Sequence, residues 1–441
     1  MTAAAQFYGL QSLGVSAELG RQFLAYVESM AHGDLVESFP DWRDLLSGRQ
    51  ASLSTLTRSI WAAVAQSPAG ALRIRSEVLV ASKALVMQVY LDSDENYSVR
   101  GYAARMDKSF GRVYLGLDSG AEYESESEAA NRAIMAITAK YAFADALAAT
   151  VAVLAALASA SRVDVDEVST QVLAAVCEKW FDLPSGADMV TGGISFNLWP
   201  PARLPGNFGT PSGYIFQPHP PVALIFLGRL QGANILKPVL LDFVERHRKP
   251  GQAPTGILSA ALFAALPSSA QNDLLARTII GVLMGMLPTV DGNLTTAMKS
   301  WLDDGSFDAL KSAFLADPTP NLYARACHVL TTPLITAMQK GPVPDAVWRT
   351  AVKDHNLGDP PVFVRAGDVI NISISSATRA DLAQGTLDPS PIFGGMRRKP
   401  HGTHACPGYH AAMGLLLGII SGILLDTTAR SLSVATNQIQ M

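Results

Sequence analysis

The stretch Pro400-His-Gly-Thr-His404-Ala-Cys406-Pro-Gly408-Tyr-His410, followed by an apolar run over 411–425, decides how the fold of this chain is interpreted. It puts Cys406 on a loop just before a hydrophobic helix, where backbone N–H groups and the helix dipole stabilise a thiolate. Such a sulfur is suited to bind a metal. Gly402 and Gly408 let the backbone approach a large flat ligand where a Cβ would collide.

Histidines surround this cysteine, and His404, two residues before it, is placed to donate to an anionic group at the ligand's edge. Two other interpretations stay open. One is a plain buried thiol at the start of a helix. The other is a compact zinc site, although structural zinc sites usually draw ligand pairs from two separated segments. The zinc ligands would come from His401, His404, Cys406 and His410.

The composition gives the chain no general affinity for polyanions. It has 441 residues, 49% of them hydrophobic and 16% charged, and a net charge of −4. This weak negative balance predicts no nucleic-acid partner and no attraction to anionic membranes. Cys177, Cys327 and Cys406 form no Cys-x-x-Cys pair, which favours a reducing, cytoplasmic location. Residues 1–20 lack a basic segment followed by a long apolar core, so we expect no signal peptide or membrane anchor.

Apolar periodicity predicts a fold that is mainly α with a small β region around residues 343–376. The apolar segment 141–158 contains Asp145 and fits a buried helix better than a membrane span. Alternation over 362–374, around an Ala-Gly-Asp turn, predicts a strand hairpin. We expect helices at 16–31, 53–66, 72–90 (partly strand), 121–160, 163–182, 222–248, 255–266, 271–302 and 322–334.

Residues 184–221 are rich in Gly and Pro and predict a structureless connection. A connection of this length inside a compact domain is usually a functional lid or a disordered linker. Its five aromatic residues argue against disorder.

The predicted helix at 271–302 contains Pro288, which removes a backbone hydrogen bond and predicts a break that opens a groove. The polar residues near this break, Thr289, Asp291 and Asn293, are candidate catalytic groups. For each of them, a polar residue that faces solvent or bonds locally is the alternative.

The cysteine loop resembles the heme-binding loop of the cytochrome P450 family, which has a glycine, three residues, the cysteine, one residue and a second glycine. Gly402, Cys406 and Gly408 match it, and His404 takes the place of the family's propionate-binding Arg or His. Lys399 replaces the family's phenylalanine. The resemblance implies one heme-thiolate domain over residues 1–441 with a cytochrome P450-like fold. It also implies heme b bound through Cys406, within a heme-binding loop at 400–410.

Other landmarks of the family are matched in part. Residues 184–221 fall where the family has its lid, which implies a channel wall for an apolar substrate, with an ordinary surface loop as the alternative. Arg349 stands where the family places an arginine that pairs with a propionate, and 362–381 resembles the following hairpin and Ala-x-Arg-Asp turn. The family's Glu-x-x-Arg is missing, since by spacing Cys327 and Leu330 take its place.

Acidic residues stand at the start of the predicted helix 121–160, where the family has cations. Glu122, Glu124 and Glu126 stand about where the family has cationic propionate ligands. Arg132 or another residue must therefore supply the positive charge if heme binds. A solvated, acidic helix start is the alternative interpretation of these glutamates.

Helix 271–302 corresponds to the family's distal helix, whose acid and alcohol relay protons to oxygen. Gly285 falls within this motif, whereas Leu287 and Pro288 replace the acid and the alcohol, and we expect all three to line the substrate channel. The Pro-Thr-Val run resembles that of the family's fatty-acid peroxygenases, with Leu287 in place of their arginine. Asn293 is suited to assist hydroperoxide rearrangement, as in related enzymes.

The resemblance thus implies an oxidoreductase for an apolar, lipid-like or natural-product substrate that uses peroxide or a substrate hydroperoxide. An O₂-dependent monooxygenase served by ferredoxin and its reductase is the first alternative. A non-catalytic heme or ligand-binding protein is the second.

Overall fold

The structure, a computed structural model, describes residues 60–92, 94–183, 189–191, 194–196, 204–218, 220, 222–397, 402–428 and 431–434. The helices are α1 Lys83–Leu91, α2 Arg100–Asp107, α3 Ala121–Met135, α4 Ala139–Ala156, α5 Val165–Phe181, α6 Leu204–Phe216, α7 Val222–Gln231, α8 Lys237–His247, α9 Ile257–Ala265, α10 Asn272–Asp303, α11 Ser306–Ala316, α12 Leu322–Lys340, α13 Ile374–Ala383 and α14 Tyr409–Leu425. The strands are β1 Ala71–Ile74, β2 Glu77–Val80, β3 Tyr97–Ser98, β4 Arg162–Asp164, β5 Met189–Thr191, β6 Ile194–Phe196, β7 Ala346–Ala351, β8 His355–Leu357, β9 Val362–Val364, β10 Val369–Ser373 and β11 Ser431–Ser433.

A five-stranded sheet joins distant parts of the chain in the order β1-β2-β10-β7-β3. Strand β10 runs parallel to β2, with Ile370 opposite Val78, and antiparallel to β7, with Ile370 opposite Arg349. The predicted hairpin over 362–374 is wrong, because β9 pairs with β8 in a separate two-stranded sheet. Alternation in a sequence identifies strands and the face of each residue, but it does not identify the pairing partner.

Several predicted helices have different bounds in the structure. The predicted helix 121–160 is divided into α3 and α4, because the Thr138 hydroxyl accepts the Tyr141 N–H and caps a new helix start. The predicted helix 72–90 becomes the hairpin β1-β2 followed by α1. The predicted helix 322–334 continues to Lys340, with Pro333 inside it. The predicted helix 16–31 and residues 53–59 lie outside the described residues, and 60–66 is helical.

Within the predicted structureless connection 184–221, strands β5 and β6 and helix α6 form. Helix α6 includes Pro211 and lies against α7 and α10. Packing on these helices outweighs the weak helix propensity of its Gly and Pro residues. Residues 184–188, 192–193, 197–203, 219 and 221 of the predicted channel wall lie outside the described residues.

Helix α14, which follows the cysteine loop, packs along α4. Gly414, Gly418 and Gly422 face α4 at intervals of four residues, and a Cβ on Gly414 would lie 2.2 Å from the Ala139 carbonyl oxygen. The glycines therefore let the two helix backbones approach closely. On its other sides α14 buries apolar residues such as Ile419, each of which contributes about 1.5–3 kcal/mol to stability.

Three helical stretches, Ala139–Ala156, Leu224–His247 and Ser269–Asp303, are long and apolar enough to cross a membrane by length and composition. In the fold, each of them packs against other helices of the chain.

Candidate active site

Cys406 lies on the loop that leads into α14 at Tyr409. Its backbone N–H donates to the Phe393 carbonyl at 3.1 Å, and its sulfur accepts the Gly408 N–H at 3.3 Å. The rings of Phe393 and Tyr409 meet edge to face, with centroids 4.9 Å apart. These contacts fix the sulfur at the positive end of a buried helix.

Opposing influences act on the Cys406 thiol. Burial raises its pKa, whereas the Gly408 and Tyr409 N–H groups and the Arg397 guanidinium lower it, and burial prevails. The free thiol therefore keeps its proton at neutral pH, and a bound metal cation would displace that proton.

The two glycines of the loop have different surroundings. A Cβ on Gly402 would lie 1.7 Å from the Tyr90 carbonyl oxygen. Gly402 is thus required because two backbone segments of the chain meet there. The sequence had predicted that it lets the backbone approach a ligand. A Cβ on Gly408 would lie 3.6 Å from Ile134 Cγ2, an ordinary contact.

His404 is hydrogen-bonded to a carboxylate of the chain itself. Its Nε2 lies 2.9 and 2.8 Å from the two carboxylate oxygens of Asp94, and its ring packs edge-on against Tyr123. Burial alone would raise the pKa of Asp94. The contacts with His404 and the Ser119 N–H lower the pKa by a larger amount, so the net shift is downward. The sequence predicted that His404 donates to an anionic group of a ligand, but in the structure it is directed at Asp94.

Arg349, on β7, also has protein partners. Its Nη1 donates to the Tyr102 hydroxyl at 2.9 Å and to the Trp348 carbonyl at 2.8 Å. Its guanidinium carbon lies 5.5 Å from the centroid of the Tyr102 ring. Arg349 thus joins the sheet to α2.

One further arginine, Arg132, lies on α3, and another, Arg397, lies beside this helix. Arg132, the cation considered from the sequence, has a side chain that is 76% exposed and pairs with Glu128 one turn earlier. Arg397 was missed, and its Nη1 is buried without a hydrogen-bond partner among the described residues. The sequence signal for it is a run of three basic residues that begins nine residues before the cysteine.

The long helix α10 continues through Pro288, so the predicted break is wrong. Pro288 has no N–H to give to the Met284 carbonyl four residues earlier. The buried hydroxyl of Ser212, on α6, donates to that carbonyl at 3.2 Å instead. A neighbouring helix therefore supplies the hydrogen bond that the proline removes.

Gly285 and Thr289 lie one turn apart on α10. Gly285 is exposed, and a Cβ on it would meet nothing within 4 Å. The Thr289 hydroxyl donates back to the Gly285 carbonyl at 2.6 Å. Leu287 and Pro288 are buried. Among the three predicted channel residues, Gly285 is the one with open space beside it.

Asp291 points away from Thr289, since two residues correspond to about 200° around a helix. It accepts the Ser169 hydroxyl of α5 at 2.6 Å. Burial raises the pKa of Asp291 to about 6, against the Ser169 hydrogen bond and with a further contribution from Asp166.

Asn293 joins α10 to the segment before β7. Its Nδ2 donates to the Thr289 and Val343 carbonyls, each at 2.8 Å, and its Oδ1 accepts the Val343 N–H at 3.2 Å. Asn293 is thus bonded to the backbone of Thr289, whereas Asp291 is bonded to α5.

Arg105, on α2, was also missed, and it binds the end of α6. Its guanidinium donates to four carbonyls at 2.6–3.1 Å and lies 4.4 Å from the Trp348 ring centroid. Burial lowers its pKa to about 10. The carbonyls at the end of a helix need donors, and Arg105 supplies them. They belong to Tyr214, Ile215, Gln217 and Pro218.

The family's Glu-x-x-Arg is absent from α12, and other residues make the polar contacts near this helix. Lys83 donates to Asp381 at 2.7 Å and lies 2.8 Å from Asp388. Gln339, buried on α12, donates to the Thr386 carbonyl at 3.3 Å. Leu330, which sequence spacing placed at the arginine, is a core residue instead.

Among the described residues, no group of three or more His, Cys, Asp or Glu side chains is placed to hold a metal ion. His401, one of the four candidate zinc ligands, lies outside the described residues.

No family model and no curated protein matches the sequence. Solved structures do match. A mutant of P450 EryK in complex with erythromycin B is 16% identical, with 85% of this chain and 89% of that chain covered at a TM-score of 0.60. P450BioI, in complex with an acyl carrier protein that bears hexadec-9Z-enoic acid, is 12% identical, with 85% and 92% covered and a TM-score of 0.60. Mycobacterium marinum CYP268A2, in complex with pseudoionone, is 17% identical, with 86% and 90% covered and a TM-score of 0.59.

Proposed function

Since this chain has the cytochrome P450 fold that its cysteine loop predicted, we propose that it is a heme-thiolate oxidoreductase that binds heme b through Cys406. One observation carries the proposal: within this fold, the Cys406 sulfur accepts the Gly408 N–H at 3.3 Å just before a buried apolar helix. A single sulfur stabilised by backbone N–H groups suits an axial bond to iron.

Other residues present fit a heme. Arg397 has a buried guanidinium nitrogen without a partner among the described residues, which suits a carboxylate of the cofactor. Gly285 leaves space beside α10. When bound, heme with a thiolate ligand supplies the capacity to cleave an O–O bond. The chain then holds the sulfur, binds the cofactor's carboxylates and places the substrate.

The substrate we propose is apolar, either lipid-like or a natural product. Residues 279–287 of α10 are all apolar, and the first polar side chain after them is that of Thr289. A substrate beside this stretch would therefore contact apolar groups. The solved relatives bind erythromycin B, a fatty acyl chain on its carrier protein, and pseudoionone. A cytoplasmic location is part of the proposal, because Cys177, Cys327 and Cys406 are free.

The oxidant we propose is hydrogen peroxide or a substrate hydroperoxide. In the net reaction with hydrogen peroxide, one oxygen enters a C–H bond of the substrate and the other leaves as water. Peroxide is already at the oxidation level that O₂ reaches by gaining two electrons. A reaction with peroxide therefore depends less on a proton relay through an acid and an alcohol. In α10, Thr289 is bonded to its own helix, and Asp291 is bonded to α5.

The surface of α3 supports the same choice. Glu122, Glu124 and Glu128 are exposed along this helix, and Tyr123 between them donates to Thr403 of the cysteine loop at 2.8 Å. Glu122 and Glu128 are paired with Arg112 and Arg132, so only a small net negative charge remains here to disfavour a negatively charged electron-donor protein.

The first test is the absorption spectrum of the purified protein, ferric and then reduced under carbon monoxide. We expect a red-shifted, thiolate-type carbonyl band that is lost in Cys406→Ala and kept in the control Cys327→Ala. Absence of heme from wild-type protein made with sufficient heme would refute the proposal.

A second test separates the oxidants on a panel of fatty acids, terpenoids and macrolides. We expect product with hydrogen peroxide or a lipid hydroperoxide, without any electron-donor protein. Turnover only with ferredoxin, its reductase and O₂ would make the chain a monooxygenase. No turnover with either system, despite tight heme binding, would make it a non-catalytic binding protein.

A further inference from the structure

Arg397 has hydrogen-bonding capacity that the described chain does not use. Its Nη1 is buried and has no acceptor among the described residues. A buried guanidinium nitrogen without an acceptor is costly, so such a position points to an anionic partner.

The position of Arg397 relates it to the cysteine. Its charge acts on both the Cys406 sulfur and the Tyr114 phenol, so the guanidinium lies close to both groups. Tyr114 lies against α10, because a Cβ on Gly281 would come within 2.8 Å of its ring. Arg397 is therefore near the space between the cysteine loop and the long helix.

The same arginine lines a cleft along α3 with a volume of about 910 Å³. Neutral polar side chains of α3, Tyr123, Ser127 and Asn131, also line it. The cleft has acidic groups too, since Glu124 and Glu128 lie at it. Of these, Glu128 is already paired with Arg132.

Three other cations that the structure describes in this part of the fold already have partners. His404 is bound to Asp94, Arg349 to Tyr102 and the Trp348 carbonyl, and Arg132 to Glu128. Binding an external carboxylate with any of these would first break an existing contact.

We propose that Arg397 binds a carboxylate of the porphyrin, in place of His404 and Arg349. This inference rests on the proposed function. Arg397, which lies outside the cysteine motif, would then supply the positive charge that the acidic start of α3 lacks. A guanidinium matches a carboxylate with two parallel hydrogen bonds.

The test compares two cofactors in purified full-length protein, iron protoporphyrin IX and its dimethyl ester, which lacks the free carboxylates. The rate of porphyrin transfer to excess apomyoglobin is measured for wild type and for Arg397→Gln, with Arg132→Gln as control. We expect Arg397→Gln to release iron protoporphyrin IX about tenfold faster than wild type. We expect no difference for the dimethyl ester, and no effect of Arg132→Gln on either cofactor. Arg397→Lys should restore part of the lost retention.

The outcomes are distinguishable. Equal loss of both cofactors in Arg397→Gln, or loss of neither, would overturn the inference while the Cys406-dependent carbonyl band leaves the proposed function standing. Unchanged release with a shifted carbonyl band would also overturn it, since Arg397 would then act on the sulfur. If wild type binds neither cofactor through Cys406, both proposals fail. Circular dichroism of each variant shows whether the fold is kept.

Discussion

Asp291 binds its proton more tightly than an ordinary aspartic acid. Burial against α5 raises its pKa to about 6, and the nearby Asp166 adds to the shift. Between about pH 4 and pH 6, the folded chain therefore holds a proton that the unfolded chain has released. The contribution of Asp291 to stability is most favourable below pH 4, declines as the pH rises through this window, and is level above it.

We predict that Asp291→Asn stabilises the protein at pH 7. The amide oxygen still accepts the Ser169 hydroxyl, and it carries no charge to bury. Because Asp291 is partly exposed, the gain is limited to about 1–2 kcal/mol. Urea unfolding at pH 4.5, 5.5, 6.5 and 7.5 measures it. The difference between variant and wild type should grow from pH 4.5 to pH 6.5, and a constant difference would contradict the assignment.

At the residue scale, the sequence identified polar side chains but not their partners. His404 was recognised from its position relative to Cys406, and Arg349 from its place among the family's landmarks. Their partners, Asp94 and Tyr102, lie more than 200 residues away along the chain. A local pattern contains no information on contacts of that separation, so the direction of each side chain had to come from the fold.

At the element scale, α10 shows how a proline is accommodated inside a long helix. Pro288 leaves the Met284 carbonyl without its helical donor, and Ser212 of α6 replaces it. A buried carbonyl without a donor costs about 1–3 kcal/mol. The helix therefore stays continuous because α6 packs against it, and the break expected from Pro288 alone does not form.

We predict that Ser212→Ala and Pro288→Ala are coupled in a double-mutant cycle. Ser212→Ala alone should lower the free energy of unfolding by about 1–2 kcal/mol, since it leaves the Met284 carbonyl unpaired. With alanine at 288, the backbone N–H returns to that carbonyl, and Ser212→Ala should cost much less. Guanidinium unfolding of the four proteins gives the coupling. Additive effects would show that the serine does not act on that carbonyl.

At the scale of the whole molecule, the predicted elements were mostly correct and their pairing was not. The cysteine loop before an apolar helix, and the mainly α fold with a small β region, are confirmed. The sheet brings together strands that are almost 300 residues apart along the chain, with Val78 opposite Ile370. Periodicity reports which face of a segment is buried, and it does not report which distant segment covers that face.

The last prediction concerns the contact that ties these distant parts together. Lys83, on α1, binds Asp381 of α13 and Asp388 of the segment that leads to the cysteine loop. The Asp381 side chain is 5% exposed, and its Oδ2 has no hydrogen-bond partner among the described residues. Lys83→Met would leave this buried carboxylate without a cation, which is more costly than the pair itself is stabilising.

We therefore expect Lys83→Met to lower the free energy of unfolding by about 1–3 kcal/mol, since Lys83 is 30% exposed and water screens part of the loss. The matched control is Lys353→Met, which removes an exposed pair with Glu95 and should leave stability unchanged. Because Asp388 precedes the cysteine loop, Lys83→Met should also release bound heme faster than the control does. Equal stability of the two variants would show that the Lys83 contacts do not hold the loop segment on α1.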